Sequence, residues 1–139
     1  MIYLDSCAVI KLVHNEDHSS DLVAWLNAPG RSGAQLVSSV LVEVETVRAL
    51  RRSAPAALPG IPAVLARLYR VQITDVIRAT AAAYPEATLR TLDAIHLATA
   101  QVVVSETATP LSAFVTYDKR LLDSAVAAGL PVAAPGMVT

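Results

Sequence analysis

The sequence predicts an α/β fold: a three-layer sandwich with a mostly parallel central sheet flanked by helices. Short apolar runs alternate with longer amphipathic segments, a pattern that favours right-handed crossovers between parallel strands. The composition agrees, because 54% of the residues are hydrophobic but only 4% are aromatic. The core must therefore be built from Ala, Val, Leu and Ile, which suits buried parallel strands covered by Ala-rich helices. The 139 residues fit one domain over the whole chain, 1–139.

The first half of the chain is predicted to contain two strands and three helices. Apolar runs and caps place a strand at 1–4, helices at 6–13 and 17–28, a strand at 35–37 and a helix at 40–52. Asp5 or Ser6 can cap the first helix, and Pro29-Gly30 ends the second. Arginines in the last turn of the third helix complement its dipole.

The second half repeats the alternation. Pro and Gly predict a loop at 53–60, followed by a helix at 61–69, a strand at 70–74, helices at 75–84 and 92–104, a strand at 111–116, a helix at 118–128 and an edge strand at 131–134. Pro85 stops one helix, and Gly129 suits the C-cap of another.

Four acidic residues stand where a strand passes into a helix, or early in a helix: Asp5, Glu45, Asp93 and Asp118. Because the carboxyl ends of parallel strands meet at one edge of a sheet, residues remote in sequence can become neighbours there. Four carboxylates would repel one another unless a cation held them. Mg²⁺ and Mn²⁺ prefer oxygen ligands, so a metal-dependent hydrolase is the leading hypothesis.

Three of these acids also have a purely structural interpretation. Asp5 and Asp118 can each cap the helix that follows, and Asp93 lies in a first turn, where the helix dipole favours an acid. The apolar neighbours of Asp93, however, predict that its carboxylate is partly buried and needs a partner such as a metal. Asp118 is expected to be a weak or water-mediated ligand.

Two neighbouring glutamates compete for one role. Glu43 and Glu45 lie two residues apart on a helix and point to nearly opposite sides, so at most one can reach the site. The apolar pattern does not choose between them. His96, one turn after Asp93, is interpreted as a packed, hydrogen-bonded histidine; the alternative is that it orients a ligand or a phosphate. Cys7 lacks an activating base and is interpreted as a small buried residue.

The local motifs, taken in order, resemble those of PIN-domain ribonucleases, and most closely the VapC-type toxins of bacterial toxin-antitoxin pairs. The resemblance rests on IYLDS at 2–6, ETVRAL at 45–50, LDAIHLATA at 92–100, TYDKRL at 116–121, and the closing Gly129-Leu130 and Pro135-Gly136. It spans the whole chain, and the segments around Asp93 and Asp118 are the most specific. Cys7 departs from the family, which often has a small polar or apolar residue there.

The resemblance implies a Mg²⁺- or Mn²⁺-dependent endoribonuclease with one or two ions bound by Asp5, Glu45, Asp93 and Asp118. Glu45 is chosen over Glu43 because the glutamate of the family usually precedes a segment like 47–50. The resemblance also implies a homodimer and a small antitoxin protein that blocks the site. Contact with operator DNA is expected only through the antitoxin.

The mechanism expected is in-line attack of a metal-activated water on an RNA phosphodiester, with the 2′-hydroxyl uninvolved. Asp5 and Asp93 would hold the first metal, while Glu45 and Asp118 complete its shell or recruit a second ion about 4 Å away. The candidates for substrate contact are Ser6 and Thr116, for solvent or a phosphate oxygen, and Arg48, Arg51, Lys119 and Arg120, for the RNA backbone.

Two other functions stay open. One is a catalytically silent module that acts through antitoxin and operator-DNA binding; the other is an aspartyl phosphotransferase that phosphorylates Asp5. Many such phosphotransferases have a second aspartate two residues later, but position 7 is a cysteine. A single cysteine excludes an intrachain disulfide and a multi-cysteine zinc site. No apolar run reaches the roughly 18 residues needed to cross a membrane, and a cytoplasmic protein is expected.

Overall fold

Five short strands form one sheet in the computed structural model, which describes residues 1–137. The strands are β1 (Ile2–Leu4), β2 (Leu36–Ser39), β3 (Leu68–Val71), β4 (Ala113–Val115) and β5 (Val132–Ala133). The α-helices are α1 (Ser6–Val13), α2 (Ser19–Leu26), α3 (Val42–Ser53), α4 (Ile61–Leu65), α5 (Asp75–Ala82), α6 (Thr91–Thr107) and α7 (Lys119–Ala127). Within these residues no helix is long and apolar enough to cross a lipid bilayer.

The strand order is β3-β2-β1-β4-β5, and every neighbouring pair is parallel. The first strand is therefore central, between β2 and β4. Leu4 pairs with Val115 in the register of β1 and β4. This register brings Asp5 and Thr116, the next residue of each strand, side by side at the carboxyl edge of the sheet.

Helices cover both faces of the sheet, because successive side chains of a strand point to opposite faces. Ile2 and Leu4 pack into a cluster with apolar residues of α1 and α2. Tyr3 points the other way and packs with Phe114 and with apolar residues of α6 and α7. The three-layer α/β architecture predicted from the sequence is confirmed.

The main difference from the predicted elements lies between residues 53 and 71. The expected loop contains a 3-10 helix, Pro55–Gly60, and the expected helix at 61–69 ends at Leu65. The third strand begins at Leu68 instead of residue 70, because Leu68 is buried and pairs with Leu36 of β2. Because Leu36 is remote in sequence from Leu68, no pattern in the local sequence indicates where this strand begins.

Candidate metal centre

Asp5 is the most buried acid of the candidate site, with 3% of its surface exposed. It follows β1 and caps α1, since its side chain accepts a hydrogen bond from the Ala8 backbone N–H at 3.0 Å. The Thr116 hydroxyl donates to the other carboxylate oxygen at 2.6 Å. Burial raises the pKa of the Asp5 carboxyl, and these hydrogen bonds oppose the rise. The negative charge of Asp5 is thus stabilised by hydrogen-bond donors from α1 and from the residue that follows β4.

The side chains of Thr116 and Cys7 both contact the Asp5 carboxylate. Thr116 is fully buried, so the prediction that it contacts solvent or a phosphate oxygen is corrected: its hydroxyl contacts Asp5 and accepts from the Asp118 N–H at 3.1 Å. The Cys7 thiol lies 3.1 Å from both oxygens of the Asp5 carboxylate. Burial raises the pKa of this thiol to about 12, so it stays protonated and acts as a donor rather than a nucleophile.

The guanidinium of Arg90 lies between the carboxylates of Asp93 and Asp118 and pairs with both. Asp118 caps α7, accepting backbone N–H groups of Arg120 and Leu121 with Oδ1. Its Oδ2 lies 3.0 Å from Arg90 Nη2, and Arg90 Nε lies 3.3 Å from Asp93 Oδ2. Burial raises the pKa of the Asp93 carboxyl, the Arg90 guanidinium opposes this rise, and the carboxylates of Asp118 and Asp5 add to it. Negative charge is therefore concentrated here.

One cavity of about 330 Å³ joins these three acids, since Asp5, Asp93 and Asp118 all line it, together with Arg90. A second cavity of about 320 Å³ is lined by Glu45 as well as by Asp93 and Arg90. The four acids predicted from the sequence therefore surround two cavities that share residues at the carboxyl edge of the sheet.

The structure separates the two competing glutamates. Glu45 Oε1 lies 2.7 Å from His96 Nε2, and the Ser6 hydroxyl donates to Glu45 Oε2 at 3.3 Å. Glu43 instead pairs with Arg70 at 3.0 Å on the outside of the protein. Glu45 is thus the glutamate on the cavity side. His96 is buried and hydrogen-bonded, as interpreted from the sequence.

The chemistry of these side chains fits a hard divalent cation, because every candidate ligand is a carboxylate oxygen. Within residues 1–137, however, no group of three or more His, Cys, Asp or Glu side chains is arranged to hold a metal ion as it stands. The guanidinium of Arg90 supplies the positive charge between Asp93 and Asp118 instead. This side chain is 66% exposed, so a metal could displace it. The ligand set stays a prediction.

The predicted substrate-contact residues are spread around the site. Arg48 lines a groove of about 330 Å³ together with Ser6, Glu45 and Arg52. The remaining basic candidates are exposed: Arg51 on α3, and Lys119 and Arg120 at the start of α7.

Sequence reasoning missed two basic residues of the acidic cavity, Arg90 and Lys11. The three-residue spacing between Arg90 and Asp93 could have revealed the first. Lys11 has no comparable signal, because its approach to the Tyr117 ring, at 4.6 Å, depends on the pairing of β1 with β4.

The chain matches a known protein family over most of its length. The profile of the PIN domain matches residues 2–126, which include all four candidate ligands. The chain belongs to the PIN-domain family. This PIN domain is 52% identical over 136 residues to "Ribonuclease VapC35" of Mycobacterium tuberculosis (strain H37Rv), with 98% of each chain covered. It is 37% identical over 139 residues to "Ribonuclease VapC47" of strain CDC 1551, with 99% of each covered.

A solved structure shares the fold of this PIN domain. The crystal structure of VapC20 of Mycobacterium tuberculosis, described as a sarcin-ricin loop cleaving toxin, matches with a TM-score of 0.65 and 16% identity. The match covers 94% of this chain and 96% of that one. At this identity the likeness shows the fold alone. The family predicted from the sequence motifs is confirmed by the profile and by the relatives.

Proposed function

We propose that this PIN domain is a metal-dependent endoribonuclease that hydrolyses RNA phosphodiester bonds and acts as the toxin of a toxin-antitoxin pair. The observation that carries the proposal is the convergence of Asp5, Asp93 and Asp118 on one cavity, with Glu45 on the cavity beside it. The relatives named as ribonucleases support the same activity. Residues 1–139 would form a single domain.

Asp5 and Asp93 would hold a Mg²⁺ or Mn²⁺ ion, and Glu45 and Asp118 would complete its shell or share a second ion. The ion would supply a water of lowered pKa and neutralise the charge that grows on the phosphate. Thr116 and Cys7 hold Asp5 in place through hydrogen bonds. Because water is the nucleophile, the 2′-hydroxyl of the RNA takes no part in the proposed reaction.

The groove beside the cavities is the proposed path of the RNA backbone. Arg48 and Arg52 line it next to Ser6 and Glu45. A guanidinium matches phosphate geometry through paired hydrogen bonds, so these arginines would place a phosphodiester near the acids. The Ser6 hydroxyl borders the groove and both cavities, where it could orient a phosphate oxygen.

The partners of this proposed toxin follow from the same assignment. A small cognate antitoxin would block the acidic cavities, and the chain would act as a homodimer. Contact with operator DNA would occur only through the antitoxin. Because the proposed substrate is cellular RNA, the toxin would act in the cytoplasm.

Metal-dependent digestion of total RNA by the purified chain tests the activity. We expect cleavage with millimolar Mg²⁺ or Mn²⁺, none after chelation, and none by Asp93→Asn. Mapping of the new RNA ends identifies the target. A substrate with a 2′-deoxy sugar at the cleaved position should still be cut, because the 2′-hydroxyl is uninvolved.

The matched control is Asp123→Asn, which removes one carboxylate from α7 at a side chain that is 64% exposed and lines neither cavity. This variant should cleave RNA like the wild type. Cleavage by Asp93→Asn, or by the chelated protein, would refute the metal-dependent mechanism. If the wild type binds its antitoxin but cleaves no RNA with either metal, the catalytically silent module is the better description.

A further inference from the structure

A buried chain of hydrogen bonds runs from the centre of the sheet to the candidate site. The Tyr3 hydroxyl lies 2.7 Å from His96 Nδ1, and His96 Nε2 lies 2.7 Å from Glu45 Oε1. Tyr3 and His96 are both fully buried. The chain thus joins β1, α6 and α3, three elements that are remote in sequence.

The two ring nitrogens of His96 link Tyr3 to Glu45, and the tautomer of the ring sets the direction of each hydrogen bond. An ionised carboxylate only accepts, so the His96 Nε2–H donates to Glu45. In the neutral tautomer that donates from Nε2, Nδ1 accepts a hydrogen bond from the Tyr3 hydroxyl. Each link in the chain therefore selects the arrangement of the next.

Packing holds this chain in place. The Tyr3 ring is stacked on Phe114, with centroids 5.1 Å apart and planes 2° from parallel. The His96 ring meets the Tyr3 ring edge-on, with centroids 5.8 Å apart. Tyr3 lies in the central strand and pairs with residues of both neighbouring strands. The rigid core thus sets where His96 Nε2 can donate.

Only one oxygen of Glu45 takes part in this chain. Oε1 accepts from His96, while Oε2 accepts from Ser6, which lines the same cavity as Glu45 and Asp93. A core histidine that merely needed a partner could be satisfied by a backbone carbonyl. Here its partner is the side chain that faces the cavity.

We propose that Tyr3 and His96 are positioning residues, which hold the Glu45 carboxylate so that it can contribute to divalent metal binding. This inference depends on the metal site of the proposed function. Groups that orient a metal ligand from behind typically change metal affinity by about 10- to 100-fold when they are replaced. The hydroxyl of Tyr3, at the centre of the sheet, should therefore affect the affinity of a site that it does not touch.

Calorimetric titration with Mn²⁺, in the absence of RNA, tests the proposal. Tyr3→Phe removes only the hydroxyl, and His96→Leu removes the donor to Glu45. We expect both variants to bind Mn²⁺ more weakly than the wild type, by about 10-fold or more for His96→Leu. His96→Gln keeps an amide N–H in place of Nε2–H and should restore much of the affinity. The matched control is Tyr84→Phe, which removes another partly buried hydroxyl, hydrogen-bonded to Gln101, and should bind Mn²⁺ like the wild type.

A double replacement separates positioning from general packing. With Glu45→Gln already present, His96→Leu should weaken Mn²⁺ binding no further, because His96 acts only through Glu45. Circular dichroism verifies that each variant is folded. Tyr3→Phe tests the role of the hydrogen-bond chain even if His96→Leu is unfolded.

Wild-type binding of Mn²⁺ with unchanged affinity in Tyr3→Phe and in a folded His96→Leu would overturn this inference and leave the metal site intact. No Mn²⁺ binding by the wild type would overturn both proposals.

Discussion

Replacing Asp93 by Asn removes one negative charge from the acidic cavity and keeps the size of the side chain. Burial and the neighbouring carboxylates raise the pKa of this carboxyl by more than Arg90 lowers it, so its ionised form is disfavoured in the folded protein. Without metal, the neutral amide should therefore make the protein more stable at pH 7. With metal, the wild type should gain stability that the variant cannot gain.

The size of that gain follows from chain length and metal affinity. An entropy of unfolding near 2.1 cal/mol/K per residue gives roughly 0.3 kcal/mol/K for a chain of this length. Metal at about 100 times its Kd stabilises a protein that binds only when folded by about 2.7 kcal/mol. The melting temperature of the wild type should then rise by about 9 °C, whereas that of Asp93→Asn should rise by clearly less, because the variant lacks one of the proposed ligands.

Thermal melts over a Mn²⁺ series, from micromolar to millimolar, measure both effects. Asp123→Asn, whose side chain is 64% exposed on α7, is the control and should respond to Mn²⁺ like the wild type. Equal shifts in the wild type and Asp93→Asn would refute the role of this carboxylate. A metal-free Asp93→Asn that melts below the wild type would refute the electrostatic reasoning.

Three further predictions concern the same site. Thr116→Val removes a donor from buried Asp5 and should lower the free energy of unfolding by about 1–3 kcal/mol in urea titrations at pH 7; an unchanged value would contradict the account. Arg90→Gln should tighten Mn²⁺ binding by up to about fivefold, since an exposed ion pair is worth about 1 kcal/mol or less; weaker binding in calorimetry would show that Arg90 does not compete with the metal. Because the pKa of Asp93 is raised in the folded protein, this carboxyl contributes stability below its usual pKa, and that contribution is lost as the pH rises through the raised pKa. Without metal, the free energy of unfolding of Asp93→Asn should therefore exceed that of the wild type by more at pH 7 than at pH 3.5. A constant difference in urea titrations would contradict this prediction.

Local patterns predicted much of the fold and part of the site. Asp5 and Asp118 each follow an apolar strand and cap a helix, so sequence spacing alone placed them at the carboxyl edge of the sheet. Glu45 could not be separated from Glu43 in this way, because both lie on one amphipathic helix. The ion pair of Glu43 with Arg70, 27 residues away, depends on how α3 lies against β3.

The parts that escaped prediction depend on long-range contacts. Tyr3 and His96 are 93 residues apart and meet only because α6 packs on the sheet. Thr116 was predicted to contact solvent or a phosphate oxygen, but the register of β1 with β4 buries its hydroxyl against Asp5. Sequence spacing identifies which groups reach one edge of the sheet, and tertiary packing decides which of them face the cavity.

Anomalous diffraction from crystals soaked in Mn²⁺ tests the central claim most directly. The account predicts a strong anomalous peak between the carboxylates of Asp5 and Asp93, with Arg90 moved away from Asp93. A well-ordered cavity without a peak at millimolar Mn²⁺, or a peak bound only by other residues, would contradict it.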